Sequence, residues 1–179
     1  MKEQKYIEEY KRYIPDEVIS EMIYQITEYL EKEGRYSLTR NFYHHGNTTI
    51  FEHCRNVAFT SCYIARKLHL CVNYRWLIRG ALLHDYYFYD WHVKEKGHAL
   101  HGLRHPKTAW KNAQQDFHLE EVEENIILCH MFPLILFPPL TMEGWIVCIA
   151  DKICAVNEVR KGKKECKIKE GTHATKTKV

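Results

Sequence analysis

Three observations predict that this sequence forms an all-α protein, a single-domain bundle of about six or seven helices. Apolar residues recur at the three- and four-residue spacing of an α-helix in several segments, and no segment alternates as a strand does. Only 8 Gly and 5 Pro occur in 179 residues, which suits long helices better than a turn-rich β architecture. The composition, 45% hydrophobic and 27% charged, is that of an ordinary globular chain and argues against a fibre or a wholly disordered protein.

The first two predicted helices have clear starts and regular apolar faces. Pro15 and the acidic residues after it favour the start of the first helix, and Gly34 favours its end. Its apolar face consists of Ile19, Ile23, Ile26 and Leu30. The second helix covers residues 49–69, with Asn47, Thr48 and Thr49 as N-cap candidates. Its apolar stripe spans five turns and consists of Ile50, Cys54, Val57, Ala58, Ser61, Ile64, Ala65 and Leu68.

The next two helices flank a segment without periodicity. Asn73 is predicted to cap a third helix that ends at His84. Residues 86–103 show no helical period, so we expect a long loop with at most one short helix. Pro106 favours the first position of a fourth helix, which extends to about Asp116, because proline lacks the N–H that this position leaves unpaired.

Two further helices complete the predicted bundle. One covers Leu119 to Met131 and has an acidic first turn. A proline-containing loop follows, and Thr141 is predicted to cap a last helix that ends near Val159. Because this last helix is apolar on nearly all sides, we expect it to form the buried centre of the bundle.

The basic residues of the chain are concentrated at its C-terminal end. Residues 160–179 contain 8 Lys and Arg against 2 Asp and Glu, whereas residues 1–159 contain 18 against 21. The sequence therefore predicts a helical domain over residues 1–159 and a basic, flexible tail over residues 160–179. Such a tail either contacts nucleic acid or a membrane surface or is simply a solvated terminus.

Cysteine usage and hydropathy predict the cellular compartment. The seven Cys form no CxxC pair, and most lie in apolar stretches, as small core residues of a reduced protein do. The N-terminal segment lacks the apolar part of a secretory signal, and no apolar run is long enough to cross a bilayer. We therefore expect a cytoplasmic protein without a membrane-spanning segment.

Buried polar residues point to a functional site. The chain contains 12 His, an unusually high number, and histidine is the commonest metal ligand. Asp151 lies within the apolar last helix, and His84 with Asp85 ends the apolar run of the third helix, so each needs a buried partner. Three more histidines lie at helix ends or at the edges of apolar faces: His53, His105 and His130.

Each of these residues also has an ordinary structural explanation. A single histidine at such a position is often a hydrogen-bonded core residue, and Asp151 could form a buried salt bridge with Arg55, Arg79 or Arg104. The order His, His-Asp, His, His, Asp over separate helices is harder to obtain by chance. Imidazoles combined with carboxylates that can bridge favour a site for two divalent cations.

Five segments carry a resemblance to a known family. They read TTIFEHCRNVAF, IRGALLHDYYFYD, RHPKTAWKNA, NIILCHMFPL and WIVCIADKICA. They resemble the motifs of the HD superfamily of metal-dependent phosphohydrolases, with a motif core over residues 49–158. The resemblance implies an all-α HD-type bundle and the metal ligands His53, His84, Asp85 and Asp151. His105 and His130 match members with two metals, in which Asp85 would bridge the ions.

Two positions depart from the pattern of many family members. Phe88 stands where many carry Lys, and Asn56 stands where many carry Arg. Both departures leave the metal ligands intact, but they affect residues that could contact a phosphate. The branch of the family, and with it the substrate, is therefore not specified by the motifs.

The resemblance implies a hydrolase that cleaves a phosphate ester or anhydride through a water activated by one or two divalent ions, with Fe, Mn, Zn, Co or Ni as candidates. The substrate would be a nucleotide or another small phosphorylated metabolite. Asp85 and Asp90 are the catalytic candidates; Asp90 would serve as general acid or base or orient the water, and its alternative is a loop cap. The candidates for binding phosphate are Arg104, Lys94 and Lys152, followed by Lys107, His92, His98 and His101. The alternative is a non-catalytic HD module that senses a nucleotide, or nucleic acid through the basic tail.

Overall fold

The computed structural model describes residues 10–11, 14–44, 46–91 and 101–174, and only the backbone of residues 10–11 and 163–174. The described residues form a helical bundle, which confirms the predicted all-α class. Its α-helices are α1 (Asp16–Glu33), α2 (Ile50–Lys67), α3 (Tyr74–Leu83), α4 (His101–Asp116), α5 (Glu121–Cys129) and α6 (Met142–Ala174). A 3-10 helix (Tyr36–Asn41) follows α1, and the two-residue strands β1 (Tyr10–Lys11) and β2 (Val72–Asn73) pair antiparallel.

Local capping fixes where α2 and α3 begin, as the sequence predicts. The Thr49 hydroxyl accepts a hydrogen bond from the backbone N–H of Glu52, whose carboxylate in turn accepts one from the Thr49 N–H at 2.9 Å. The Asn73 side chain accepts hydrogen bonds from the first backbone N–H groups of α3. These starts set which face of α2 carries His53 and where α3 delivers His84.

The core lies where α2 packs against both α3 and α6. Helix α5 also packs against α3 and α6. Small residues allow the helices to approach closely. A Cβ added to Gly80 would lie 2.4 Å from Ile126 Cδ1, so the approach of α3 to α5 requires glycine at this position. This approach brings the C-terminal ends of α3 and α5, and with them His84 and His130, to the same place.

The structure corrects the predicted start of α4. The helix begins at His101, so Pro106 lies inside it rather than at its first position. Proline in a helix interior lacks the N–H that would pair with the carbonyl four residues earlier, and its ring crowds that carbonyl. Here the earlier residue is Gly102. The additional turn contains a hydrogen bond from His105 Nδ1 to the His101 carbonyl, 3.0 Å long.

The last helix differs from its prediction at its end and on its surface. α6 continues to Ala174 instead of ending near Val159, because residues 160–174 contain no proline and are rich in the helix-favouring Lys and Glu. It is also not buried all round, because only one face packs against α2 and α5. The opposite face is 39–50% exposed and consists of Met142, Trp145, Ile149, Ile153 and Val156. The division into a domain and a flexible basic tail stays a prediction.

No helix in the described part of the chain combines the length and the apolar character that crossing a membrane requires. The cysteines of this part carry no disulfide, and most are buried; Cys71 is exposed.

Candidate metal centre

Six polar residues predicted from the sequence come together at the centre of the bundle. They are His53 in the first turn of α2, His84 and Asp85 after α3, His105 in α4, His130 after α5 and Asp151 in α6. None of the six is more than 7% exposed. The cluster therefore contains residues from, or directly after, each of the five helices α2 to α6.

Asp85 lies between two groups of histidines. Its Oδ1 is 3.1 Å from His105 Nε2 and 3.6 Å from His130 Nε2. Its Oδ2 is 3.7 Å from His84 Nε2 and 3.9 Å from His53 Nε2. The two oxygens of one carboxylate thus face different sides, which is the geometry that a bridging ligand needs.

Asp151 faces histidines rather than an arginine. Its Oδ1 is 3.2 Å from His53 Nε2 and 3.7 Å from His84 Nε2. Arg79, one of the arginines considered as its partner, instead donates to Glu123 at 2.6 Å. The carboxylate of Asp151 therefore belongs to the histidine cluster and not to a buried arginine salt bridge.

The histidine rings are oriented by hydrogen bonds on the side away from the cluster. Nδ1 of His84, His105 and His130 donates to the carbonyls of Ala81, His101 and Ile127 at 2.7, 3.0 and 2.8 Å. His53 Nδ1 donates to the Glu158 carboxylate at 3.1 Å. In the neutral form of such a ring Nδ1 carries the proton, so Nε2 then has a lone pair that faces the interior of the cluster.

In the neutral forms of His105 and His130, this arrangement leaves two acceptor nitrogens facing each other. His105 Nε2 and His130 Nε2 are 2.9 Å apart, and each ring has its proton committed to a carbonyl on the other side. His84 Nε2 and Asp85 Oδ1 are buried without a hydrogen-bond partner. Buried lone pairs and carboxylates without donors are costly, and a divalent cation satisfies them together.

The donor set fits divalent transition metals. Ligand atoms of His53, His84 and Asp151 lie within 4.8 Å of one another, as do those of His84, Asp85 and His130. Imidazole and carboxylate suit Fe, Mn, Zn, Co and Ni about equally, so the ligands do not select among these metals. Each ring of the set has a hydrogen-bond acceptor on its Nδ1, and metal-binding histidines usually have such an acceptor.

The charges of the protein groups shift the pKa values within the cluster. Burial acts to raise the pKa of Asp85, but the charges of His84 and His105 outweigh it and hold this pKa well below its ordinary value. For His53, burial favours the neutral form, yet hydrogen bonds to Asp151 and Glu158 raise its pKa to about 9. Burial, reinforced by His84 and His105, lowers the pKa of His130 to about 3. For the protein groups alone, the cluster therefore contains ionised carboxylates, a protonated His53 and a neutral His130 at pH 7.

Two residues of the cluster were not predicted from the sequence. His44, in the loop before α2, lies 3.2 Å from Asp85 Oδ2 through its Nε2. Glu158 of α6 accepts hydrogen bonds from both His44 and His53. Glu158 follows Asp151 by two helical turns and so lies on the same face of α6, a signal that sequence reasoning could have used. His44 has no such signal, because the residues after it resemble an ordinary turn.

A cavity of about 650 Å³ opens onto the cluster. Its floor includes Asp85, Asp151, His105 and His130, together with His44. Its walls are largely apolar and include Trp91, Met131, Pro133 and Leu134. A volume of this size accommodates a small metabolite or a nucleotide.

The predicted phosphate-binding residues have different positions. Lys152 lines the cavity, but its Nζ donates to the carbonyls of His130 and Cys148 at 2.9 and 3.1 Å. Arg104 and Lys107 are exposed on α4 and are not among the lining residues described. Lys94, His92 and His98 lie outside the described residues.

His101 and Asp90 also differ in their relation to the cavity. His101 lines it, with its ring stacked 5.2 Å from Trp91 and 4.5 Å from His105. Asp90 is partly buried and is not among the lining residues described. The buried Tyr86 and Tyr87 fill the core, whereas Trp91 of the same segment reaches the cavity.

Comparison with known proteins identifies one match. The family model described as HD domain matches residues 50–156, more than half of the chain. The matched range contains all six predicted ligands and excludes His44 and Glu158. No curated protein and no solved structure matches the chain.

Proposed function

This chain belongs to the HD-domain family, and we propose that it is a metal-dependent phosphohydrolase with a dinuclear centre. The observation that carries the proposal is the convergence of four histidine Nε2 atoms on two buried carboxylates, with His84 Nε2 and Asp85 Oδ1 left without a hydrogen-bond partner. A structural polar cluster pairs donors with acceptors throughout, whereas this one leaves the ring nitrogens of His105 and His130 facing each other and two buried polar atoms unpaired.

The residues divide into two ligand groups around Asp85. We propose that His53, His84 and Asp151 hold one cation and that His105 and His130 hold the other. Asp85 would serve both, because its two oxygens face the two groups. When bound, the cations would activate a water molecule and neutralise negative charge on a phosphoryl group.

Other residues of the chain would hold this centre in place and limit its exposure to solvent. The backbone carbonyls of Ala81, His101 and Ile127 fix three of the rings. Lys152 of α6 donates to the carbonyl of His130 at the end of α5 and to the carbonyl of Cys148 in α6. These hydrogen bonds connect the end of α5 to α6. The apolar walls of the cavity reduce water access at the reacting phosphate, which strengthens electrostatic interactions there. The proposed roles of Asp90 as general acid or base and of Lys152, Arg104 and Lys94 in phosphate binding remain predictions.

The cavity supports a small phosphorylated substrate, with a nucleotide as the first candidate. Its floor supplies the metal ligands, and Trp91 offers an aromatic surface on which a base can stack. Its volume of about 650 Å³ lies within the range typical of small-molecule sites. A long polyanion has less support, because Arg104 and Lys107 are not among the described lining residues.

The proposal is tested by metal analysis combined with a substrate screen. Protein purified without chelator, and metal-free protein reconstituted with Fe²⁺, Mn²⁺, Zn²⁺, Co²⁺ or Ni²⁺, should bind two equivalents of at least one metal. The loaded protein should release phosphate from at least one member of a panel of nucleoside mono-, di- and oligophosphates, cyclic dinucleotides and p-nitrophenyl phosphates. A chelator should abolish the release.

Two contrary results have different meanings. Failure to take up any of the five metals would overturn both the metal centre and the hydrolase. Two bound metals without turnover, together with saturable binding of a nucleotide, would instead identify the chain as a non-catalytic nucleotide sensor.

A further inference from the structure

His44 lies in the metal centre although no motif places it there. It precedes α2 by a short turn and is 8% exposed. Its Nε2 is 3.2 Å from Asp85 Oδ2, and its ring stacks on that of His53 with 3.6 Å between the centroids. Ligand atoms of His44, His53 and Asp85 all lie within 4.8 Å of one another.

The orientation of His44 is the same as that of the other histidines of the centre. Its Nδ1 is 3.3 Å from the Glu158 carboxylate, on the side away from Asp85. The other four rings likewise have Nδ1 bound to a carbonyl or carboxylate and Nε2 directed at the aspartates. An acceptor on Nδ1 fixes the tautomer and increases the basicity of Nε2, as in carboxylate–histidine–metal arrangements.

Glu158 orients two rings at once. One of its oxygens is 3.1 Å from His53 Nδ1 and 3.3 Å from His44 Nδ1, and the whole residue is 6% exposed. A buried carboxylate shared by two stacked imidazoles holds both Nε2 atoms on the same side, next to Asp85 Oδ2. If His44 only filled space, nothing would require Glu158 to bind its Nδ1 while its Nε2 reaches the bridging candidate.

We propose that His44 is a seventh metal ligand, which shares a cation with His53 and Asp85 through its Nε2, and that Glu158 is its positioning residue. The inference rests on the proposed function in one respect, namely that the cluster binds divalent cations. It goes beyond that proposal because none of the five motif segments contains His44 or Glu158, and the matched family range, residues 50–156, includes neither.

The rival role for His44 is a hydrogen-bond donor to Asp85. In that case its Nε2 carries a proton, and the ring is not bonded to a metal. The two roles differ in the proton NMR spectrum of the Co²⁺-loaded protein, in which the Nδ1–H of each metal-bound histidine gives a strongly shifted, exchangeable resonance. We expect five such resonances from the unmodified protein if His44 is a ligand, and four if it is a donor.

Variants assign the additional resonance and measure its effect on affinity. His44→Gln should remove one shifted resonance and weaken the binding of one Co²⁺ by about tenfold or more in competition with a chelator, as loss of a ligand or its partner does. Glu158→Gln should keep all five resonances, displace those of His44 and His53, and weaken binding less. His118→Gln, an exposed histidine of the loop before α5, is the matched control and should change neither quantity.

The outcomes separate this inference from the proposed function. If the unmodified protein takes up no Co²⁺, the proposed function itself fails. If it binds Co²⁺ but shows four shifted resonances, or if folded His44→Gln retains all resonances and full affinity, His44 is not a ligand. The resonance count in the unmodified protein decides the question even if His44→Gln does not fold.

Discussion

Two polar clusters lie back to back in this protein, and consecutive residues belong to them. Asp85 faces the metal centre, whereas Tyr86 joins Arg35 and Asp116 in a second cluster. In the second cluster the Tyr86 hydroxyl donates to Asp116 at 2.6 Å and accepts from the Arg35 backbone N–H at 2.7 Å. The Arg35 side chain donates to both Asp116 oxygens.

The clusters differ in how their donors and acceptors match. Each hydrogen bond of the Arg35–Tyr86–Asp116 cluster has a donor on one side and an acceptor on the other, and its cation and carboxylate balance in charge. In the candidate metal centre, the ring nitrogens of His105 and His130 face each other, and His84 Nε2 and Asp85 Oδ1 have no hydrogen-bond partner. A matched buried cluster stabilises the fold by itself, whereas an unmatched one requires a cation from outside. The two clusters therefore differ in matching, and also in burial, because the Arg35 side chain is 42% exposed.

The same substitution in the two clusters should give the largest contrast. Among the described residues, Asp85 supplies the only carboxylate placed to serve both ligand groups, so for Asp85→Asn we expect loss of bound metal and a fall in phosphate release of about 1,000-fold or more, equivalent to several kcal/mol. Asp116→Asn should retain the metal and activity within a few-fold. Metal analysis and steady-state kinetics on both variants check this. Equal metal loss in the two variants would contradict the distinction.

A smaller effect is expected when only one ligand group is altered. His105→Ala and His130→Ala should each lose one metal equivalent and keep the fold, because His53, His84, Asp85 and Asp151 still hold the other cation. Metal stoichiometry and circular dichroism measure both properties, with His118→Ala as an exposed control. Full metal content in both variants would make these two residues core histidines and leave a mononuclear site.

The matched cluster should affect stability instead of metal content. Asp116→Asn weakens the charge-assisted hydrogen bonds from Arg35 and Tyr86, so we expect a loss of about 1–3 kcal/mol in the free energy of unfolding. The control is Asp16→Asn, which alters an ion pair with Arg66 in which Asp16 is 73% exposed, and it should cost less than about 1 kcal/mol. Denaturant unfolding of metal-free protein measures both values. A larger loss in the Asp16 variant would contradict the assignment.

The smallest expected effect is a pH dependence confined to acid. Burial acts to raise the pKa of Asp116, but hydrogen bonds from Arg35 and Tyr86 outweigh it and hold the pKa below its ordinary value. A carboxyl with a lowered folded-state pKa stabilises fully above its unfolded pKa of about 3.9, and the contribution is lost as the pH falls through the folded pKa. The stability difference between unmodified protein and Asp116→Asn should therefore be constant from pH 6 to 7 and shrink below about pH 4. A difference that grows on acidification would show that Asp116 is not held ionised by this cluster.

Local chemistry predicted much of the fold. Thr49 and Asn73 cap helices where the sequence places caps, because the interaction involves residues only two or three positions apart. The predicted start of α4 was wrong. The preference of proline for the first position of a helix does not show whether a further turn precedes it, and here such a turn begins at His101. The extent of α6 was also underestimated, because a basic composition indicates charge and not the end of a helix.

Six members of the candidate metal centre could be anticipated because polar residues ending or interrupting apolar helices need buried partners. His44 could not, because the carboxylates that it contacts, those of Asp85 and Glu158, are 41 and 114 positions away in the sequence. Glu158 carried a weak signal through its spacing from Asp151. Its contact with two imidazoles depends on how α6 lies against α2.

The sequence by itself determined the helical class, the helix caps and the set of polar residues that had to be buried, since each depends on periodicity or on short-range hydrogen bonding. Only the tertiary structure decided which of these residues meet, because contacts between helix ends depend on crossing geometry, such as the close approach that Gly80 permits. It also decided that Asp151 faces histidines and not an arginine, and that one apolar face of α6 remains exposed. An apolar pattern indicates which residues favour burial, but the packing of neighbouring helices determines which faces of a helix are buried.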